Sequence, residues 1–427
     1  MVRVAVLGGG TVGSALVELL LTRSEELAVQ SGARLEIAGI AVHDLSRPRP
    51  GHVPVELLTS DAAALAADPS VDIVVELIGG IEPASTLVTA ALTAGKPVVT
   101  ANKALLASQA GIGLRSLARR QGVDLLYEAA VAGAVPLVRV LRESLTGERI
   151  HRVMGIVNGT TNFILTRMAE QGADYAEVLS EAQSLGLAER DPTADVEGHD
   201  AAAKAAILAG VAFGYDVPVD QVACEGITAV RTLDVAFAQR SGFVVKLLAV
   251  VERVGDDEVS VRVHPAMVPT AHPLAGVRDA FNAVFIEGEA AGEVMLYGQG
   301  AGGIPTASAV LGDLIDATRN LAAGTTAPAP DRQPGRIFPP ASLRTAFYLS
   351  IDVDDRPGVL AEVAAAFGEH HVSIRSLEQE DLEDSARLTL LTHTALEGDV
   401  AATVTALGAL GPVRQVGGIM RVIGEAG

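Results

Sequence analysis

The sequence predicts a mixed α/β protein in three blocks: a doubly wound parallel sheet, an α+β block, and a small split α/β unit at the C-terminal end. Three observations carry this. Short apolar runs alternate with helical periodicity over roughly the first 130 residues. The texture changes at Gly147 toward longer strands and polar loops. After a stretch rich in Ala, Thr, Pro and Gly, the last segment reads strand, helix, strand, strand, helix, strand.

In the first block, Val4 to Leu7 is a continuous apolar run, as a buried parallel strand needs. Gly8, Gly10 and Gly13 come next in G-x-G-x-x-G spacing, and Val12 to Leu21 continues as a helix. Gly8 permits a tight turn, Gly10 lets backbone approach a pyrophosphate, and Gly13 lets helix and strand pack closely. Three spaced glycines mean little in a chain with 44 of them. Placed after a strand and at the opening of a helix, they predict a Rossmann-type dinucleotide site. Leu35 to Val42, Val71 to Ile78, Pro97 to Thr100 and Val123 to Tyr127 read as further strands. Pro83 to Ala94 and Leu105 to Gln121 read as helices.

In the second block, Arg152 to Val157 reads as a strand, and Phe163 to Gln171 and Tyr175 to Leu185 as helices. A polar loop from Glu189 to Asp195 precedes a long Ala-rich helix, His199 to Phe213. Strand-like segments recur at Phe243 to Val254, Val259 to Pro265 and Ala283 to Glu289. A glycine cluster, Gly298 to Gly303, opens an apolar helix from Thr306 to Leu321 that is expected to return to the first block. Ala322 to Pro340 lacks periodicity and reads as a linker. The expected domains are therefore 1–135 with a returning helix at about 305–321, then 136–304, a linker 322–343, and 344–427.

Composition excludes several classes of function. A formal net charge of −20 and the absence of Trp disfavour nucleic acid and anionic membrane as partners. The single cysteine, Cys224, rules out an internal disulfide and a multi-thiolate metal site, and its Ala/Val-rich context reads as core. No apolar stretch reaches membrane-span length without interruption. A cytoplasmic protein is expected.

The candidate chemistry lies in a few residues. Asp200 and Lys204 are four apart and share one helix face. Such a pair is commonly a surface ion pair, but the flanking alanines suggest burial, where a lysine needs a carboxylate. Lys103 comes after Val98-Val99-Thr100, at the ligand edge of a parallel sheet. Glu128 to Val135 offers one carboxylate and successive carbonyls, the oxygens a hard monovalent cation takes, although a buried strand end reads the same way. In Val42 to Arg49, Asp44 suits ribose hydroxyls while Arg47 and Arg49 suit a 2′-phosphate. NADP(H) is the expected cofactor, with NAD(H) use left open. Gly303 is expected to approach the cofactor from the second glycine cluster.

Several segments together resemble homoserine dehydrogenase, in its monofunctional form with a C-terminal ACT domain. They are Gly8-Gly9-Gly10-Thr11-Val12-Gly13, Glu76-Leu77-Ile78-Gly79-Gly80, Thr100-Ala101-Asn102-Lys103, Tyr127 to Gly133, Asn158-Gly159-Thr160-Thr161-Asn162, Gly186-Leu187-Ala188-Glu189, and Asp200 with Lys204. Asp355-Arg356-Pro357-Gly358-Val359-Leu360 resembles the opening of an ACT domain, with Gln379 near enough to contribute an amide.

The resemblance implies NAD(P)H-dependent interconversion of aspartate semialdehyde and homoserine, in threonine and methionine biosynthesis. It makes Lys204 the proton donor and acceptor, Asp200 its companion, and Lys103 a contact of cofactor and substrate. It implies cofactor contacts at Thr11, Val12, Gly79, Thr100 and Gly186 besides the first glycines and Arg47. Substrate contacts fall to Thr160, Glu189 and Asp195. A sodium-type ion falls to Glu128 with Val131, Gly133 and Val135. Feedback inhibition by threonine and a dimer or tetramer are also implied. Two other readings are another amino-acid dehydrogenase and a catalytically silent nucleotide-binding sensor. Retention of Lys103, Glu189, Asp200 and Lys204 disfavours the sensor.

Overall fold

The computed structural model describes residues 1–255, 258–328 and 332–424. Residues 329–331 of the expected linker and the last three of the C-terminal block lie outside the described residues. The chain divides into two compact units that do not follow chain order. The first is Met1–Val153, Ala203–Val222 and Asn282–Gly335. The second is Met154–Ala202, Ala223–Phe281 and Arg336–Gly427.

The first unit is built on a six-stranded parallel sheet. Its order is Leu58–Thr59, Leu35–Ala41, Val2–Leu7, Ile73–Glu76, Val98–Thr100, Leu125–Leu126. Alternate residues of each strand feed two cores. Val4, Val6, Ile73, Val75 and Val99 face Leu16 and Leu20 of the helix Thr11–Thr22. Ala5, Leu7, Val74 and Val98 face Leu87 and Val88 of Ala84–Thr93 and Leu114 of Gln109–Gln121. With both faces covered, the central positions Val4 to Leu7 and Ile73 to Val75 are all apolar, which is why they read as unbroken runs. Each fully buried Val or Leu contributes about 1.5–3 kcal/mol. The helix Gly303–Ala323 returns to this sheet, placing Ala307, Val310, Leu311 and Leu314 in the core shared with Leu16.

Local capping accounts for most boundary differences. The single helix expected from Leu105 to Gln121 is two, Lys103–Leu106 and Gln109–Gln121. The Ser108 hydroxyl accepts from Gly111 N and starts the second. The helix expected from Phe163 begins at Gly159, because Asn158 caps it. Inside the expected linker, Gln333–Pro334 pairs with Tyr215–Asp216, and Arg336–Ile337 pairs with Glu258–Val259.

In the second unit, Phe243–Val254 and Glu258–Pro269 form a long antiparallel hairpin, in register from Phe243 with Pro269 to Val254 with Glu258. The helices Gly159–Gln171 and Thr232–Arg240 pack on it and on each other. The C-terminal block has the expected order: Arg344–Val353, Val359–Glu369, Ile374–Leu382, Ser385–Thr392, Glu397–Ala409, Val413–Val422. Its sheet continues into the hairpin. Arg421 and Val422 of the last strand pair in parallel with Ala266 and Met267.

A buried polar cluster closes this joint. Asp234, fully enclosed on the helix Thr232–Arg240, accepts from Arg231 N at 3.1 Å, Tyr348 Oη at 2.8 Å and Ser350 Oγ at 3.3 Å. Its charge is paired with Arg231, whose guanidinium also donates to Ser350 Oγ. Gly417 and Gly418 admit this pair. A Cβ at Gly417 would overlap the Arg231 guanidinium, and one at Gly418 would stand 2.5 Å from the Asp234 carboxylate.

Candidate active site

The nucleotide cradle forms as the glycine spacing predicts. Gly8 has a left-handed φ of +116°, and a Cβ there would stand 2.5 Å from Leu77 O. A Cβ at Gly13 would overlap Gly8 O, so neither position tolerates a side chain. Gly10 has nothing within 4 Å of its missing Cβ and caps the helix Thr11–Thr22 without a side-chain bond. Gly10 thus offers the first-turn amides no capping side chain, as an anion site at a helix N-terminus needs. Gly8, Gly10, Thr11, Arg47, Arg49 and Gly303 line one cavity of about 1210 Å³. Val12 and Gly13 lie just inside the helix behind it.

At the far end of this cavity, Asp44 is occupied locally. Its Oδ1 accepts from Ser46 N at 2.8 Å and Ser46 Oγ at 2.6 Å, which holds the carboxyl below its usual range. The Arg49 guanidinium donates to Asp44 O at 2.7 Å and Arg47 O at 2.9 Å. Asp44 therefore stays ionised, and the loop sets two guanidinium groups beside one carboxylate that Ser46 occupies.

At the end of the parallel sheet a buried carboxylate organises the turn beyond its strand. Glu76, fully enclosed, accepts from Ile78 N at 2.8 Å and Gly79 N at 3.2 Å through Oε1, and from Thr100 Oγ1 at 2.6 Å through Oε2. Asn102 donates to Glu76 Oε1 at 3.4 Å and Gly80 O at 2.7 Å, and its Oδ1 caps Leu105 N at 3.0 Å. The Thr100 hydroxyl and the Gly79 amide are therefore engaged with Glu76. Lys103, exposed, opens the helix that Asn102 caps. Sequence reasoning misses the role of Glu76, although a lone carboxylate inside an apolar strand run is its signal.

In the second unit one amide gathers two carboxylates. Asn158 Oδ1 accepts from Thr161 N at 2.8 Å, while its Nδ2 donates to Asp195 Oδ1 at 2.7 Å and Asp200 Oδ2 at 2.9 Å. Asn158 stands in the motif Asn158 to Asn162, but nothing local to that motif signals this role, because Asp195 and Asp200 lie 37 and 42 residues on. Thr160 Oγ1 donates to Leu187 O at 2.8 Å. Glu189 is exposed, and its carbonyl accepts from Gln183 Nε2 at 3.1 Å. Gly186 ends the turn after Tyr175–Ser184 in a left-handed conformation, φ 71°. Asp191 takes the hydroxyl of Thr193 at 2.6 Å, a local turn. Cys224 donates to Glu197 O at 3.3 Å, and burial pushes its thiol up, away from nucleophilic character.

The helix His199–Phe213 carries Asp200 and Lys204 one turn apart, 7% and 8% exposed. The alanines between and after them allow two charged groups to be enclosed.

The Glu128 carboxylate has a structural task. Oε1 accepts from Leu137 N at 2.6 Å and Val138 N at 2.8 Å, and Oε2 from Arg139 N at 2.8 Å. It caps a helix start, and Oε2, with one printed amide donor, keeps a lone pair beside the carbonyls of this segment. Ala132 and Gly133 are both left-handed, at φ 58°, and a Cβ at Gly133 would overlap Gly300 O. Against Gly300 lies Asn282, 1% exposed, with Oδ1 and Nδ2 both lacking a hydrogen-bond partner among the described residues. A buried amide with two unmet polar atoms fits a polar guest beside this segment.

Beneath Glu128, Asp313 Oδ2 accepts from Glu128 N at 2.7 Å and Oδ1 from Arg139 Nη2 at 3.2 Å. Burial pushes the Asp313 carboxyl up to about 7, against the Glu128 amide. The Glu128 charge acts in the same direction as burial, and Arg139 opposes it. In the unfolded chain an aspartate titrates near ~4. Between those values the folded state holds more protons, so this contribution to stability falls as pH rises through the window. Asp313→Asn should flatten the dependence of Tm on pH between about 4 and 7. An unchanged slope would mean Asp313 is ionised throughout.

Comparison with known proteins agrees along the whole chain. The family model described as "Homoserine dehydrogenase, NAD binding domain" matches residues 8–128, "Homoserine dehydrogenase" matches 136–315, and "ACT domain" matches 347–412. A homoserine dehydrogenase of Corynebacterium glutamicum is 52% identical over 426 residues, covering 99% of this chain and 95% of its own. The crystal structure of a homoserine dehydrogenase from Thiobacillus denitrificans superposes with a TM-score of 0.93 at 39% identity, covering 99% and 98%. A hyperthermophilic archaeal homoserine dehydrogenase in complex with NADPH matches at 31% identity and a TM-score of 0.64, over 74% of this chain and 97% of its own. Matched along its full length at these identities by relatives of one activity, the chain belongs to the homoserine dehydrogenase family, NAD(P)-dependent oxidoreductases, and carries an ACT domain.

Proposed function

We propose that this chain interconverts L-aspartate 4-semialdehyde and L-homoserine with NADP(H) as its main carrier and NAD(H) as a second. The enclosed Asp200–Lys204 pair on one helix carries the catalytic part of this reading. The nicotinamide, when bound, supplies or takes the hydride at the substrate carbon. Lys204 as an ammonium stabilises and protonates the oxygen in reduction. As a neutral amine it takes the proton in oxidation, so that direction gains with pH. Asp200, fixed by Asn158, positions the lysine. Lys103 is the second cation, for cofactor and substrate. Glu189 and Asp195 are assigned to the substrate ammonium and Thr160 to a neutral contact.

The choice of NADP(H) rests on Arg47 and Arg49 beside an Asp44 already engaged by Ser46. The archaeal relative's NADPH complex supports it. Thr11, Val12, Gly79, Thr100 and Gly186 complete the proposed cofactor set, with Thr100 and Gly79 acting through Glu76. A sodium-type ion is proposed at Glu128 with the carbonyls of Val131, Gly133 and Val135. Among the described residues no helix is long and apolar enough to cross a membrane. A cytoplasmic dimer or tetramer is the proposed working form.

The assay is turnover of homoserine against other hydroxy amino acids, with NADP⁺ and NAD⁺ in parallel. Homoserine with NADP⁺ should give the highest kcat/KM. No turnover of homoserine with either carrier would remove the reading.

Regulation by threonine is part of the proposal. Asp354, Arg356, Gly358, Val359 and Gln379 line a cavity of about 360 Å³ in the ACT block, where Gly358 caps the helix Val359–Glu369 without a side-chain bond. That provides amides for a carboxylate and a side-chain amide for a hydroxyl. Threonine should inhibit the full chain, and Gln379→Ala should raise the half-inhibitory concentration about 2- to 10-fold, the loss of one hydrogen bond. A wild-type enzyme indifferent to threonine would leave the block an assembly role alone.

A further inference from the structure

Lys246, on the strand Phe243–Val254 of the second unit, is 2% exposed. Its ammonium donates to two neutral oxygens, Asn162 Oδ1 at 2.9 Å and Val277 O. Neither partner is a carboxylate, and burial pushes the group down to about 8. Arg278 acts in the same direction, while Glu170 and Asp279 oppose it. An apolar side chain of similar length would fill this place without the cost of enclosing a charge. What the ammonium adds is orientation. With Oδ1 of the buried Asn162 turned to Lys246, its Nδ2 faces the other way. There it donates to Asp279 O at 2.8 Å, Phe281 O at 3.3 Å and Val277 O at 3.4 Å.

The backbone from Val277 to Phe281 is thereby held against the start of the helix Gly159–Gln171. Ala280 O stands so close to Gly159 that a Cβ there would lie 2.7 Å from it. Asp279 is left-handed, φ 52°, a conformation uncommon outside glycine and kept where the surroundings enforce it. The outer ties of this turn, Arg167 with Asp279 at 3.6 Å and Arg278 with Glu170, are of the weak, solvent-reached kind. The enclosed tie is the one through Lys246 and Asn162. One helical turn before Asn162 lies Asn158, whose carbonyl accepts from Asn162 N at 3.3 Å. Asn158 is the amide that joins Asp195 to Asp200. We propose that Lys246 is a positioning residue for the substrate site: through Asn162 it presses the turn 277–281 onto the first turn of the helix and so fixes Asn158, Thr160 and the carboxylates that Asn158 gathers. This rests on the assignment of Thr160, Asp195 and Asp200 to the substrate and catalytic site.

The test measures calorimetric binding of homoserine to the full chain saturated with NADPH, a pair that cannot react, and binding of NADPH alone beside it. Lys246→Met should weaken homoserine at least about fivefold, the loss of one hydrogen bond, and leave NADPH within about twofold. In turnover, KM for homoserine should rise by the same factor and KM for NADP⁺ should not. Lys246→Gln, which keeps a neutral donor, should fall between wild type and Lys246→Met. Asn162→Ala keeps the ammonium and removes its link, so it should show the same substrate-specific loss independently. Asn158→Ala marks the site itself and should also weaken homoserine. Weakening in Asn158→Ala with none in Lys246→Met or Asn162→Ala would overturn the positioning role. Equal weakening of homoserine and NADPH in the Lys246 variants would mean a general loosening of the fold and would overturn it too. Homoserine binding untouched in Asn158→Ala would remove the site assignment, and the proposal with it.

Discussion

Lys204→Ala should lower kcat at least about 100-fold in both directions while NADPH still binds. The size comes from the usual contribution of a positioned general acid or base. The sparing of the cofactor comes from geometry: the cradle is formed by Gly8, Gly10, Gly13 and Gly303, none of which depends on Lys204. Binding is read from NADPH fluorescence, which is clean in a chain without tryptophan. Lys204→Arg separates the two tasks proposed for the ammonium. A guanidinium keeps a positive charge near the carbonyl oxygen but cannot give up its proton near neutral pH. It should restore part of semialdehyde reduction and little of homoserine oxidation. Turnover near wild type in Lys204→Ala would remove this residue from the chemistry.

Glu76→Leu should destabilise the protein by about 3 kcal/mol or more, because four donors lose an enclosed charged acceptor at once. The same change should raise KM for NADP(H), since Gly79 and the Asn102 cap lose their anchor. Glu76→Gln keeps the volume and one oxygen, so it should fall between wild type and Glu76→Leu. Urea unfolding gives the stability and initial rates give the KM. A loss under about 1 kcal/mol would mean that the hydrogen bonds of Glu76 are individually replaceable by water.

The nucleotide half is legible in the sequence because its signals are local. Continuous apolar runs identify strands covered on both faces, and glycine spacing is a matter of six residues. The C-terminal block is legible in its order of elements for the same reason. Features that escape depend on partners far away in the chain. The helix Thr232–Arg240 has weak periodicity of its own, and its buried Asp234 is explained only by Tyr348, 114 residues on. The helix Ser24–Ser31 buries only Leu27 and Ser31, too little to make a pattern. Glu76 needs Thr100 and Asn102 to become a support, and the amides that occupy Glu128 come from Leu137, Val138 and Arg139. The family resemblance supplies candidate roles for residues such as Glu189 and Asp195. It does not supply Asn158 as the group that joins Asp195 to Asp200.

The joint at Asp234 would couple the two ligand sites proposed for the second unit. The helix Thr232–Arg240 meets the ACT sheet through Asp234 and Phe237, whose ring lies 5.1 Å from that of Tyr348. Its other side holds Gly159–Gln171 and the turn after it: Gln239 Nε2 donates to Ala169 O at 2.7 Å, and Thr232 Oγ1 to Asp174 at 2.6 Å. That second helix is capped by Asn158 and carries Thr160 in its first turn. An amino acid that shifts the ACT strands would therefore work against the same packed elements that hold Asp195 and Asp200, the carboxylates of the proposed substrate site. Linkage then demands symmetry: whatever factor the effector takes from the affinity for homoserine, homoserine takes from the affinity for the effector. Under the proposed threonine regulation, a cell rich in homoserine would need more effector to silence the enzyme, and the block would sense a ratio of two amino acids and not the level of one.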